Sequence, residues 1–402
     1  MSTVTKGTVL FGARKLDARG QVDDFWMVIE GTTITATGSG PGHPDAEQAI
    51  DLHGSWLTPG FIDLHSHGGG GHSFDNGPAE IIEGLATHRA HGTTRSVISL
   101  VANPMAELRT SLGQIADLVE VDPLILGSHL EGPFLSPHYR GAHNVEYLRD
   151  PEAVHVDELI AAGRDTLRQI TLAPELPGAM EAIDILVAAG VAVAIGHSDL
   201  SFEMAQGAFD RGARILTHAF NAMPGIHHRA PGPVVAAFED DRVTIELILD
   251  GQHVHPDVAA LAFRSAPGRV ALITDAMAAA GYQDGDYNLG TLTVAVRDGL
   301  ALLRGTTTIA GSTLTQDVAL QIAITRTGVA PRDAVGALTL TPAKALGLDH
   351  RFGLLETGYA ADVVALDANW TVQRVWANGS AIDTEVNRTI GGATSISTTR
   401  LY

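Results

Sequence analysis

The sequence predicts a (β/α)8 barrel beside a small β domain built from both chain ends. Three observations lead there. Eight short apolar runs alternate with helix-like stretches between residues 58 and 350. Metal-ligand side chains recur at the downstream ends of those runs: His65 and His67, Glu131, His197, His218 and Asp275. β-like segments with no helix between them precede and follow the repeat. Scattered histidines carry little information, but histidines and carboxylates at one end of parallel strands describe a metal site on a barrel rim.

Taken in order, residues 3–57 read as short β segments, at 8–11, 25–29 and 32–35. The strand candidates that follow are 60–65, 94–101, 124–130, 169–173, 191–195, 214–217, 243–249 and 269–274. Helical patterns separate them, among others at 79–91, 105–119, 157–168, 179–189 and 201–211. An open doubly wound sheet is the competing arrangement. It requires a G-x-G-x-x-G turn after the first strand, and Gly68–Gly71 lacks that spacing and trails His65 and His67. After strand eight, 291–296 and 300–303 read as an inserted hairpin. β character returns at 362–367 and 372–377, and these segments are expected to pair with the N-terminal ones. The expected division is 1–57 with 352–402 as a small β-sandwich, and 58–351 as a TIM-like barrel. The last dozen residues, rich in Thr and Ser, are expected to be loosely held.

The chain has 402 residues, 45% hydrophobic and 18% charged, enough for a large packed core. Its 26 basic and 46 acidic residues give 26 − 46 = −20, which opposes nucleic acid or an anionic membrane as partner. With no cysteine, any metal must sit on imidazole and carboxylate. The opening residues lack the apolar stretch of a signal peptide, and no run approaches a membrane span. A cytoplasmic protein is the expectation.

His65 and His67, two apart on a strand, point to the same face, which in a barrel is the interior. Asp63 shares that face and is a candidate to orient a ligand. Glu131, followed by Gly132 and Pro133, cannot easily be a solvated helix charge. His197 and His218, each commonly a hydrogen-bonded core histidine when alone, gain a metal reading from their shared position. Asp275 closes strand eight. A buried ionised carboxylate costs several kcal/mol unless paired or coordinated, so it is placed to exchange a proton with a water whose pKa a metal lowers to about 7. The three lysines, Lys6, Lys15 and Lys344, end no barrel strand, which excludes a carbamylated lysine bridge and leaves Glu131 for that role.

The motifs PGFIDLHSH at 59–67, HLEGPF at 129–134, RGAHN at 140–144, GHS at 196–198, THAFNAMP at 217–224, DGQH at 250–253 and TDAM at 274–277 occur in this order. AGS at 310–312 and GYAADV at 358–363 follow. Across essentially its whole length the chain resembles the amidohydrolase superfamily, and within it the deacetylases of N-acetylated hexosamine 6-phosphates. That resemblance implies one metal on Glu131, His197 and His218, and a second on His65 and His67 with Glu131 and Asp275. It implies zinc, or iron, manganese, cobalt or cadmium, at one or two ions per subunit. His143 would polarise the acetyl carbonyl and Asp275 would transfer protons. The backbone at Asn221 and Ala222, with His253 and Arg229, would bind the sugar phosphate, with Arg229 reaching into the neighbouring subunit of a homodimer. His227 and His228 precede that arginine and perturb its alignment. The implied reaction is hydrolysis of the N-acetyl amide of N-acetylglucosamine 6-phosphate. A deacetylase of the galactosamine epimer, an N-acyl amino acid hydrolase and an inactive scaffold are the competing readings.

Overall fold

The computed structural model describes residues 5–384. The chain opens with β1 (Thr5–Asp17), β2 (Gly20–Glu30), β3 (Thr33–Ser39), β4 (Ala46–Asp51) and β5 (Trp56–Pro59). β1 pairs antiparallel with β2 on one edge. On its other edge it pairs in parallel with β4 and then with β5, at Arg14 and Lys15. Register shifts after Leu10 and Ala13 let one long strand serve both neighbours. Gly12 lies at this bulge with φ +66°, and a Cβ there would sit 2.6 Å from Asp51 Oδ1.

β6 (Phe61–Ser66) begins the barrel and is followed by a two-residue hairpin, β7 (Gly68–Gly69) and β8 (His72–Ser73). Then come α1 (Pro78–Ala90), β9 (Thr93–Leu100), α2 (Met105–Val121), β10 (Ile125–Glu131), α3 (Ala153–Gly163) and β11 (Leu167–Leu172). α4 (Ala179–Ala188), β12 (Ala192–Ile195), α5 (Phe202–Asp210) and β13 (Ile215–Leu216) continue the alternation. It ends with α6 (Gly232–Glu239), β14 (Thr244–Ile248), α7 (Pro256–Ser265) and β15 (Val270–Ile273). The eight parallel strands run in the order β6-β9-β10-β11-β12-β13-β14-β15. Every residue of β6, β9 and β10 is buried, because helices cover the outer face and side chains fill the interior.

Polar staples close the seam between β15 and β6. Thr274 Oγ1 donates to Asp63 Oδ2 at 2.6 Å, Asp275 N to His65 O at 2.8 Å, and His67 N to Ala276 O at 2.7 Å. The buried Gln316 amide spans both strands, donating to Ile62 O at 2.9 Å and Leu272 O at 3.3 Å.

After the seam, β16 (Gly285–Leu289), β17 (Leu292–Arg297) and β18 (Leu300–Leu303) form a three-stranded sheet. The expected hairpin is β17 and β18. β16 is not apparent in the sequence because its residues, GDYNL, are mostly polar and half-exposed. α8 (Gln316–Thr325), α9 (Pro331–Leu338) and α10 (Leu340–Ala345) lead to β19 (Val363–Leu366), β20 (Val372–Ala377) and β21 (Ser380–Ile382). β19 pairs antiparallel with β5, joining the two chain ends in one sheet. Leu10, Met27, Ile34, Leu57, Val363 and Trp376 share its buried core. The helix expected at 157–168 instead starts at Ala153 and stops at Gly163, since Arg164 and Asp165 take φ +45° and +64° and Leu167 enters β11. Among the described residues no helix is long and apolar enough to cross a membrane. The C-terminal tail expected to be loosely held lies outside the described residues.

Arg95, on β9, joins the barrel to the terminal sheet. It is 1% exposed and grips Asp362 through Nε at 2.6 Å and Nη2 at 3.1 Å, while its Nη1 donates to Pro123 O. Removing one partner of a buried ion pair costs about 3–5 kcal/mol. Arg95→Met should therefore lower the unfolding free energy by about that amount, measured by denaturant titration. Adding Asp362→Leu should recover part of the loss, and an unchanged midpoint in the single variant would assign the pair no structural weight.

Candidate active site

The predicted ligands arrive at one rim because each sits at or just beyond a strand's C-terminal end. His65 and His67 come from β6, Glu131 from β10, and His197, His218 and Asp275 lie two residues beyond β12, β13 and β15. The last three adopt φ of +47°, +25° and +48°, left-handed values that cost non-glycine residues energy and tend to cluster at functional sites. All six are buried, from His65 at 0% to Asp275 at 8% exposed.

Glu131 is the centre. Its Oε1 lies 3.0 Å from His197 Nε2, 3.1 Å from His218 Nε2 and 3.4 Å from His65 Nε2. Its Oε2 lies 3.2 Å from His67 Nε2 and 3.3 Å from His143 Nε2. His65 and His67 approach each other to 3.1 Å, and His197 and His218 to 3.0 Å. Asp275 Oδ1 is 3.5 Å from His65 and 3.4 Å from His67. Donor atoms spaced this way match the edges, about 3.3 Å, of a tetrahedron with bonds of about 2.0–2.1 Å.

Burial by itself would raise the Glu131 pKa, but the imidazoles of His65, His197 and His143 outweigh it and hold it well below the usual carboxylate range. Burial likewise opposes ionisation of Asp275, and His65 and His67 overcome it. Burial favours a neutral His67, yet its hydrogen bonds to Asp275 and Glu131 raise its pKa to about 9. The two carboxylates thus demand positive charge at this point: protons on the rings, or a cation that displaces them.

Second nitrogens sort the histidines. His197 Nδ1 donates to Tyr139 O at 2.9 Å, which leaves its Nε2 lone pair facing the cluster. His65 Nδ1 faces Glu246 Oε2 at 3.4 Å, and Gln169 Nε2 steadies that carboxylate at 2.8 Å. His143 differs: its Nδ1 accepts from Ala102 N at 3.3 Å, so its proton sits on Nε2. Burial lowers its pKa to about 4, although the Glu131 charge acts in the opposite sense. Glu131, His143 and His197 lie close enough to hold an ion together, but the tautomer makes His143 a neutral hydrogen-bond donor. His129 is a core histidine, its neutral ring held between Ser99 and Thr171 at 2.9 Å each.

A cavity of about 370 Å³ opens on the cluster. Asn221, Ala222 and His253 line it beside His143 and Asp275, so four of the expected substrate residues converge there. His253 Nδ1 bonds Asp250 Oδ2 at 2.7 Å; burial opposes its charge, but that carboxylate outweighs burial and raises its pKa. The Asn221 backbone amide, expected to contact phosphate, donates to His218 O at 3.1 Å. Arg229 is not brought to this cavity. It lies on an exposed loop with Ile226, His227 and His228, its Nη1 2.7 Å from His228 Nε2. Asp63, a candidate to orient a ligand, accepts from the backbone amides of His65 and Thr274 at 3.2 and 3.3 Å.

Several residues at the site are not evident from the sequence. Tyr139, Leu289, Thr308 and Ile309 line the cavity from loops and from the inserted sheet. Glu246 was passed over, although it is the lone charge inside the apolar run 243–249. Asp75 was not: burial raises its carboxyl to about 6 against the charge of His67, and its Oδ2 and His67 Nδ1 are both buried without a hydrogen-bond partner among the described residues.

Known proteins share this architecture. The amidohydrolase family matches residues 56–387. N-acetylgalactosamine-6-phosphate deacetylase of Escherichia coli O157:H7 is 38% identical over 92% of this chain and 98% of its own length. N-acetylglucosamine-6-phosphate deacetylase of Vibrio furnissii is 35% identical, covering 90% and 91%. A solved structure of N-acetyl-D-glucosamine-6-phosphate deacetylase from Mycobacterium smegmatis, an aspartate-to-alanine mutant in complex with N-acetyl-D-glucosamine-6-phosphate, superposes with a TM-score of 0.89. It is 39% identical, covering 94% of this chain and 100% of that one. The chain belongs to the amidohydrolase family.

Proposed function

We propose that this protein hydrolyses the N-acetyl amide of N-acetylglucosamine 6-phosphate, giving glucosamine 6-phosphate and acetate, with a divalent metal as cofactor. One observation carries the reading: five imidazoles and two carboxylates close on a substrate-sized cavity, and His143 is set apart from the ligand-type rings as a neutral N–H donor. The relatives supply the substrate class, and the M. smegmatis complex favours the gluco sugar. The E. coli relative keeps the galactosamine epimer as a second reading.

Glu131, His197 and His218 would hold one metal, and His65 and His67 with Glu131 and Asp275 a second. Zinc suits imidazole and carboxylate donors of this spacing. When bound, the metal supplies Lewis acidity and lowers the pKa of water. His143 Nε2–H donates to the acetyl carbonyl oxygen and strengthens that bond as negative charge develops there. Asp275 accepts a proton from the attacking water and returns it to the amine nitrogen, without which the amine is a very poor leaving group. His253, whose pKa the Asp250 carboxylate raises against burial, and the 221–222 segment receive the phosphate. Arg229, remote from its own cavity on an exposed loop, would complete the phosphate site of the partner in a homodimer. The same reading places the enzyme in the cytoplasm.

Chelation should abolish turnover, and a divalent transition metal should restore it. Full turnover by protein shown to be metal-free by elemental analysis would overturn the mechanism. Arg229→Ala should lower kcat/KM for the 6-phosphate roughly 10- to 150-fold, the worth of one charge-assisted hydrogen bond of about 1.5–3 kcal/mol. The unphosphorylated N-acetyl sugar should be little affected, and an equal loss on both substrates would make Arg229 structural. Asp275→Asn keeps the shape but accepts no proton, so kcat should fall at least about 10²-fold while substrate still binds. Rescue of that variant by excess metal would instead make Asp275 a ligand alone. Mixing the Arg229→Ala and Asp275→Asn proteins tests the dimer: subunit exchange should regenerate roughly a quarter of the wild-type sites. No recovery after proven exchange would place Arg229 in its own subunit's site.

A further inference from the structure

A second cavity, of about 460 Å³, lies at the end of the barrel away from the histidines. Val270, the first residue of β15, lines it, whereas Asp275 lies beyond the other end of the same strand. Phe263, Val329 and Leu340 give it apolar walls, and Arg264, Arg332 and Lys344 face a single acid, Asp333. This reverses the balance of a chain with 26 basic and 46 acidic residues.

Arg332 contacts Asp333 at 3.1 Å. The Arg264 guanidinium and the Lys344 ammonium, both exposed, have no hydrogen bond or ion pair among the described residues. Both stand in the last turns of their helices, α7 and α10, where a cation complements the negative helix end. That explains a cation at each position. It does not explain why both converge on one apolar-walled cavity. Cationic side chains and apolar walls together suit a compact body carrying a dianion.

We propose that this cavity is a second binding site, separate from the catalytic rim, for a small phosphomonoester such as a sugar phosphate. Arg264 and Lys344 hold the phosphate, and Phe263 and Leu340 pack against the body.

Glucose 6-phosphate is a suitable probe, since it carries the phosphate and ring but no amide to hydrolyse. Its binding to metal-loaded protein would be followed by calorimetry in wild type and in Arg264→Ala/Lys344→Ala. The double variant should lose one class of sites, with affinity falling roughly 10- to 150-fold, while kcat/KM for the deacetylation is unchanged. Lys344→Arg, which keeps the charge, should retain binding. An isotherm unaltered in the double variant would overturn the proposal. So would a fall in Tm with phosphate binding intact, which would assign both side chains to their helix ends.

Discussion

Glu131 is 4% exposed, yet its two oxygens lie within 3.0–3.4 Å of five imidazole nitrogens. A carboxylate so deprived of water would be protonated or would destabilise the fold by several kcal/mol unless positive charge were built around it. The imidazoles that provide it come from β6, from the turns after β12 and β13, and from the loop after β10. Charge balance at the site and convergence of the strands are therefore one requirement. A barrel whose strand ends splayed apart would leave Glu131 uncompensated. The left-handed backbone at His197, His218 and Asp275 is tolerable on the same ground: the surrounding bonds over-determine it.

The seam applies that requirement to Asp275. β13 is two residues long and β15 four, so the ladder alone holds this side of the barrel weakly. Buried side chains take over, with Asp63 bonded to Thr274 and Gln316 reaching both strands. The amide of Asp275 bonds His65 O directly. Whatever fixes closure thus also fixes the distance between Asp275 and the β6 histidines. Asp63, on the same strand face as His65, holds the backbone of His65 and Thr274 and makes no hydrogen bond to an imidazole ring.

The eight strands were legible because a strand buried on both faces writes itself as an unbroken apolar run, and the ligands stood where those runs stop. What was not legible has physical reasons. α3 was displaced because the left-handed backbone at Arg164 and Asp165, which residue type alone does not announce, ends the helix ahead of Leu167. β16 carries polar residues since its sheet faces solvent on one side. Cavity walls such as Tyr139 and Ile309 lie on loops, where no periodicity marks a side chain as inward. Glu246 was available as the one charge in an apolar run and was passed over.

Histidine roles are the part that residue type and position could not supply. His143 and His197 both touch Glu131, at 3.3 and 3.0 Å, and their rings pack edge to face at 4.7 Å. Their chemistry is opposite. Tyr139 takes the Nδ1 proton of His197 and leaves a lone pair at Nε2, while Ala102 gives its amide proton to Nδ1 of His143 and leaves a hydrogen at that ring's Nε2. One ring thereby offers a lone pair to the cluster and the other an N–H. The deciding atoms are two backbone groups, a carbonyl and an amide, which almost any residue at those positions would present. Sequence records the histidines, but the division of labour between them resides in where the loop after β10 and the end of β9 place those two peptide groups.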